Sequence, residues 1–191
     1  MHSLRPLLGH FKQGAADSLS TTMRLLTIIL LAVFASSAFA ATIEGKAIKI
    51  ADGDSITIID VDRTQHRIRI NGIDAPEKAQ PFGERSRQNM VRMVVDKNVI
   101  ADCHKADRYG RQVCKVWVQP ADCPACDKTL DVGHAQIVAG LAWWYRQYAK
   151  EQSADDRGRY DSAEQEAKAR KTGLWRDKTP VAPWEWRRKP K

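Results

Sequence analysis

The hydrophobic positions change rhythm several times along this chain. After residue 42, short β-branched stretches alternate with polar ones: IEGKAIKI (43–50), SITIID (55–60), HRIRIN (66–71), NVIADC (98–103) and QVCKVWV (112–118). Partial alternation over five to eight residues predicts half-buried strands. Three longer segments carry a helical period instead: GERSRQNMVRMVVDK (83–97), LDVGHAQIVAGLAWW from 130, and DDRGRYDSAEQEAKARK (155–171). Gly173 supplies a stop for the last helix, and Ser153 with Asp156 a capping pair at its start.

Five short strands with helices placed late predict an α+β chain, mainly β. The expected form is a small, closed or nearly closed five-stranded barrel of the OB type with about three helices. The expected domain runs over 41–176. A tail over 177–191, ending TPVAPWEWRRKPK, is predicted to be extended, its two Trp residues either packed back on the domain or offered as a stacking surface for bases.

The first forty residues read differently. Met23-Arg24 is followed by LLTIILLAVFASSAFA, with Ala38 and Ala40 fitting an A-x-A cleavage rule, so residues 1–40 are expected to be a secretory signal and Met23 an alternative start. The apolar run is short for a bilayer span, so no stable membrane insertion is expected after cleavage. The expected product is an exported, periplasmic or secreted monomer.

Charge then narrows the partners. The chain carries +8, and the leader holds three basic and one acidic side chain, which leaves the remainder at +6. A basic exported domain can meet nucleic acid, anionic lipid or an acidic polymer, and charge alone does not choose among them. All four cysteines lie after the leader, and export favours disulfides. Cys103 ends one strand-like run and Cys114 opens the next, so the two face each other across a hairpin, which leaves Cys123 with Cys126. The CPAC spacing also suits a redox dithiol or half a zinc site, but it sits in the loop QPADCPACDKT rather than at a helix start.

Two acidic clusters carry the candidate chemistry: ADGDS around Asp54, and NGIDAPE with Asp74 and Glu77. In HRIRIN, alternation sends Ile68 and Ile70 to the core and Arg67 and Arg69 to the other face. The strand then breaks at Asn71-Gly72, and Pro76 fixes a turn that brings Asp74 and Glu77 to the side of Arg69. Three carboxylates without His or Cys select a hard cation with oxygen ligands, Ca²⁺ first and Mg²⁺ second. Taken singly, each cluster is also an ordinary solvated turn.

ADGDSITI, IRINGIDAPE and DRYGR (107–111), in that order, with VAGLAWW and KTGLW closing the domain, resemble the staphylococcal nuclease (thermonuclease) family over roughly 43–175. The resemblance implies an OB-like barrel with three helices, Ca²⁺ binding, and hydrolysis of DNA and RNA. It implies Asp54 and Asp74 as metal carboxylates, the Ala75 carbonyl as a further metal ligand where the family has threonine, Glu77 as the catalytic glutamate, and Arg69 and Arg111 as phosphate-binding arginines. Arg108, Tyr109 and Tyr148 are the implied substrate contacts, with Tyr145 competing for the place of Tyr148. The segment between Cys103 and Asp107 is shorter than in the founding member, and the loop around CPAC is longer. The alternative is a catalytically silent nucleic-acid-binding barrel, which should have lost at least one of Asp54, Arg69, Asp74, Glu77 and Arg111; all five are present. A disulfide oxidoreductase using Cys123 and Cys126 has no supporting fold signal.

Overall fold

The computed structural model describes residues 41–188. The predicted signal segment therefore lies outside the described residues. The chain runs β1 (Ala41–Ile50), β2 (Ser55–Ile59), β3 (Gln65–Ile70), β4 (Ile73–Asp74), α1 (Gly83–Val94), β5 (Asn98–Ala106), β6 (Gln112–Val118), β7 (Leu130–Asp131), α2 (Val132–Val138), β8 (Trp143–Trp144), α3 (Ala154–Ala169) and α4 (Pro183–Trp186). Two 3₁₀ turns, Arg146–Glu151 and Gly173–Arg176, join the late elements.

Strands β3, β2, β1, β5 and β6 neighbour one another in that order, and β3 pairs with β6 in parallel from Ile68↔Gln112 to Ile70↔Cys114, which closes the barrel. Closure removes the free edges that an open sheet would expose. β1 serves two neighbours, pairing with β5 through Ala41–Lys46 and with β2 through Lys46–Ile50, and a register shift between Ala47 and Lys49 marks where it bends. The alternation predicted for β3 holds: Ile68 and Ile70 are buried, Arg67 is exposed and Arg69 half-buried. Each fully buried isoleucine stabilises by about 1.5–3 kcal/mol relative to exposure.

Helix α1 lays Met90 and Val94 on the barrel and ends where Val95 turns extended, three residues before the predicted stop at 97. Helix α3 starts one residue before its predicted bound and ends two residues short. Its N-cap is as expected, Ser153 Oγ accepting the Asp156 N–H at 3.0 Å.

The segment from 130 differs most from its expected continuous helix. Leu130–Asp131 is a strand whose Asp131 carboxylate caps the seven-residue α2 by accepting the His134 N–H, and Gly140, at φ +62°, ends the helical stretch. Trp143 and Trp144 then pair with Asp74 and Ile73. The break has a packing cause: a Cβ on Gly173 would come within 2.2 Å of the Gly140 carbonyl oxygen, and Leu174 donates its N–H to that same oxygen at 2.8 Å. Two glycine backbones thus touch where KTGLW meets VAGLAWW.

The tail is not extended throughout. Pro183 opens α4, as proline does at a first helical position, and Trp184 packs edge-on to Trp143. Among the described residues, no helix is long and apolar enough to cross a membrane.

Candidate active site

The loop between β1 and β2 is held from several sides. Asp52 accepts the Asp54 N–H at 3.0 Å, and Gln136 of α2 donates to the Gly53 carbonyl at 2.7 Å. A Cβ on Gly53 would overlap Ser86 Oγ of α1 at 1.8 Å, so only glycine lets this loop lie flat on the helix. Asp54, 5% exposed, is thereby fixed with Oδ2 accepting the Ala75 N–H at 2.7 Å and Oδ1 accepting the Ser55 hydroxyl at 3.0 Å.

Asp74 reaches the same place from β4, positioned by its antiparallel pairing with Trp143 and 1% exposed. Arg69 bridges the two carboxylates, with one terminal nitrogen 3.3 Å from Asp54 Oδ2 and 3.0 Å from Asp74 Oδ1, while the other donates to the Ile70 carbonyl at 2.9 Å. The charge-assisted fork fixes both acids relative to β3.

Glu77 lies on the turn after Pro76, half-exposed. Gln80 fastens this turn: its side-chain oxygen accepts the Glu77 N–H at 3.1 Å, and its own N–H donates to the Glu77 carbonyl at 2.8 Å. The Glu77 carboxylate is met by Arg187 of the tail, whose Nη1 lies 2.8 Å from Oε1. The same guanidinium donates to Asp74 Oδ2 at 2.7 Å.

Arg111 comes from the β5–β6 turn. Asp107 organises that turn by accepting the N–H groups of Tyr109 at 2.8 Å and Arg111 at 2.9 Å and the Arg111 Nε at 2.7 Å. Arg111 Nη1 then donates to Ser55 Oγ at 3.1 Å. A polar chain therefore runs from Arg111 through Ser55, Asp54, Arg69, Asp74 and Arg187 to Glu77. The Cys103–Cys114 disulfide ties β5 to β6 beneath this turn, and Cys123–Cys126 closes the CPAC loop, so both expected bridges form and no described cysteine is free.

Burial and neighbouring charge tune these acids. Burial, followed by the charge of Asp54, pushes the Asp52 carboxyl up to about 7. Burial also raises Asp74, against the pull of Arg187 and Arg69. For Asp107, burial is the largest single influence and acts upward, yet the hydrogen bonds from Arg111 and Tyr109 leave it below the ordinary aspartate value.

The aromatic candidates lie farther out. Tyr109 is 58% exposed, with the guanidiniums of Arg108 and Arg111 at 4.8 and 5.5 Å from its ring centre. Tyr148 lies under the Lys105 ammonium and edge-on to Tyr145. Tyr145 is the one coupled to the carboxylates: burial, then the charge of Asp74, raises its hydroxyl, and its ring stacks on Trp184 at 5.3 Å.

Sequence reasoning expected three converging carboxylates. Asp54 and Asp74 converge on Arg69, whereas Glu77 is turned to Arg187, and among the described residues no group of three or more His, Cys, Asp or Glu is arranged to hold a metal. Asp54 and Asp74 are two buried carboxylates that offer oxygen donors only, and the guanidiniums seated on them show that the place accepts positive charge. The residues therefore fit a hard cation. Reading the sequence missed Ser55, although it adjoins the DGD cluster, and Arg187, for which the tail gave no signal beyond its charge.

Residues 67–177 match the family model described as staphylococcal nuclease homologue. The chain is 39% identical over 166 residues to Protein ParB of Escherichia coli, covering 87% of this chain and 90% of that protein. It is 36% identical over 149 residues to a micrococcal nuclease of Shigella flexneri, covering 78% and 82%. An uncharacterized endonuclease of Escherichia coli O157:H7 is 34% identical over 165 residues, covering 86% and 98%. With the family match spanning more than half its length, and with Asp54, Arg69, Asp74 and Arg111 joined in one polar chain on a closed barrel, this protein belongs to the staphylococcal nuclease family.

Proposed function

We propose that this chain is a metal-dependent endonuclease hydrolysing phosphodiester bonds of DNA, RNA or both. The observation that carries the reading is the bridging of Asp54 and Asp74 by Arg69, with Arg111 linked to the same group through Ser55. Phosphodiester hydrolysis crowds negative charge onto phosphorus, and fixed positive groups set in advance lower its barrier most. Arg69 and Arg111 suit this, because each fork can hold two phosphate oxygens and stays ionised. Glu77 lies on the rim, half-exposed, where its carboxylate can orient the attacking water and take its proton. The leaving oxygen then receives a proton from solvent.

Asp54, Asp74 and the Ala75 carbonyl would hold the cation, with Ca²⁺ preferred over Mg²⁺ because the set is oxygen-only and irregular. When bound, such a cation supplies fixed charge to the phosphate and lowers the pKa of a water beside it. Tyr109 and Tyr145, each with an exposed or half-exposed ring, would stack on nucleotides, with Arg108 and Tyr148 at the periphery. A leader over residues 1–40 would deliver the enzyme outside the cytoplasm.

The deciding experiment is digestion of single- and double-stranded DNA and of RNA by the protein with Ca²⁺, with Mg²⁺ and with chelator. Cleavage that chelator abolishes is expected. Binding without cleavage under every metal would establish the silent binding module instead.

A further inference from the structure

The tail brings a third guanidinium to the candidate site. Arg187 lies just past α4 and holds Asp74 with both terminal nitrogens, at 2.7 Å to Oδ2 and 3.3 Å to Oδ1, while one of them also lies 2.8 Å from Glu77 Oε1. Residue 187 is ten positions beyond the end of the family match, so neither the match nor the motifs assign it a role.

Its placement does not depend on charge alone. Gln80, which fastens the Glu77 turn, also donates to the Val181 carbonyl at 2.6 Å. Ala182 is buried with Trp143 and Leu174, and Trp184 stacks on Tyr145 at an interplanar angle of 20°. These contacts dock the tail against the β8 region, and Arg187 then extends over the acids. Its guanidinium occupies both oxygens of Asp74, the more buried of the two converging carboxylates.

We propose that Arg187 is a tethered competitor of the metal ion, a positioning residue that sets how much divalent cation the site requires. The proposal rests on the metal-dependent reading above. A carboxylate whose oxygens accept a guanidinium fork cannot offer the same lone pairs to a cation, and two positive charges a few ångströms apart repel strongly where burial limits screening. Cation binding at Asp54 and Asp74 must therefore lift Arg187 off Asp74. Arg69 differs, because it lies within β3, is anchored by the Ile70 carbonyl, and takes one oxygen of each acid rather than both oxygens of Asp74.

The test is direct cation binding, with no substrate present. Calorimetric titration of Ca²⁺ and of Mg²⁺ is carried out on the wild-type protein and on Arg187→Gln, Arg187→Lys and Arg188→Gln. Hydrogen bonds to a charged group are worth about 1.5–3 kcal/mol, so Arg187→Gln is expected to bind Ca²⁺ at least about tenfold more tightly. Arg187→Lys, which keeps the charge without the planar fork, should fall between. Arg188→Gln removes the same charge one residue away and should shift affinity by less than about twofold. If Arg187→Gln, folded by circular dichroism, binds Ca²⁺ no better than wild type while wild type binds it, Arg187 is not a competitor and the metal reading stands. An equal gain in Arg188→Gln also overturns the proposal, since the effect would then be general electrostatics. If no variant binds either cation, the metal-dependent reading falls and the proposal with it.

Discussion

Arg111 donates through Nη1 to the hydroxyl of Ser55 at 3.1 Å, and that hydroxyl in turn donates to Asp54 at 3.0 Å. The β5–β6 turn and the β1–β2 loop are far apart in sequence, and this serine is the joint between them. Ser55 is buried, so its truncation would leave Arg111 with one anchor, Asp107. Ser55→Ala is expected to fold normally and to lower turnover about ten- to a hundredfold, the effect of losing one charge-assisted hydrogen bond to a positioned group. Steady-state kinetics on a short duplex would measure it. An unchanged rate would mean that Asp107 alone holds the guanidinium.

Glu77→Gln and Arg111→Ala address the proposed chemistry itself. Both side chains are partly exposed and neither is part of the hydrophobic core, so melting should change little. Turnover should fall by about two to four orders of magnitude in each, since loss of a proton acceptor or of an electrostatic clamp acts on the transition state. Circular dichroism with a plasmid-nicking assay separates folding from activity, and near wild-type nicking by either variant would remove that residue from the proposed roles.

The barrel was legible because its strands bury one face each, and Ile68 and Ile70 against Arg67 and Arg69 show how period two becomes a core and a functional face. Asp54 and Asp74 were legible through their turn chemistry. The Gly140 break was not, because its cause is a close approach to Gly173, a contact between distant segments that no local window contains. For the same reason Trp143 and Trp144 read as helix, although they form the strand that positions Asp74. Glu77 was expected to join the other acids, but its partner Arg187 is 110 residues away, and long-range ion pairs leave no periodic trace.

Substrate affinity should fall steeply with salt. The protein carries a formal +8, and the proposed grip on nucleic acid runs through Arg69, Arg111 and Arg108. Each phosphate neutralised releases counterions and adds about 0.9 to the slope of log affinity against log salt on duplex DNA. Fluorescence anisotropy with Glu77→Gln as the slow-cleaving form should give a linear plot, and Arg108→Ala should reduce its slope by about one phosphate. A flat response would assign the positive charge to solubility alone.

Acid should loosen the β5–β6 turn. Burial acts to raise Asp107, but its hydrogen bonds to Arg111 and Tyr109 prevail, so its folded pKa lies below its unfolded value near 3.8. A depressed carboxyl stabilises fully above the unfolded value, and the contribution disappears as pH falls through the folded one. Protection of the Tyr109 and Arg111 amides from hydrogen exchange should therefore decline below about pH 4, after correction for the intrinsic exchange rate. Asp107→Asn should show reduced protection already at neutral pH. If Asp107→Asn is protected as well as the wild type at neutral pH, Asp107 is not what holds the turn.

The Cys103–Cys114 bridge spans eleven residues and encloses the Asp107–Arg111 turn, joining residues that face each other across β5 and β6. Cross-linking a loop of this length restricts the unfolded chain by roughly 2–3 kcal/mol on the loop-entropy estimate. Both cysteines are buried, so replacement also costs packing. For a domain of this size, Cys103→Ser with Cys114→Ser is expected to lower the melting temperature by about 5–10 °C. Activity should fall as well, because the turn gains freedom to splay and Arg111 loses preorganisation. Cys123–Cys126 closes only a three-residue separation in a half-exposed loop, so its double serine variant should lose less than the first pair, melting about 3–5 °C below wild type. Calorimetry of the two double variants, with peptide mapping of the non-reduced wild type, distinguishes the bridges. Equal loss from both pairs would show that the second loop supports the fold, and free thiols at all four positions would remove the argument for either.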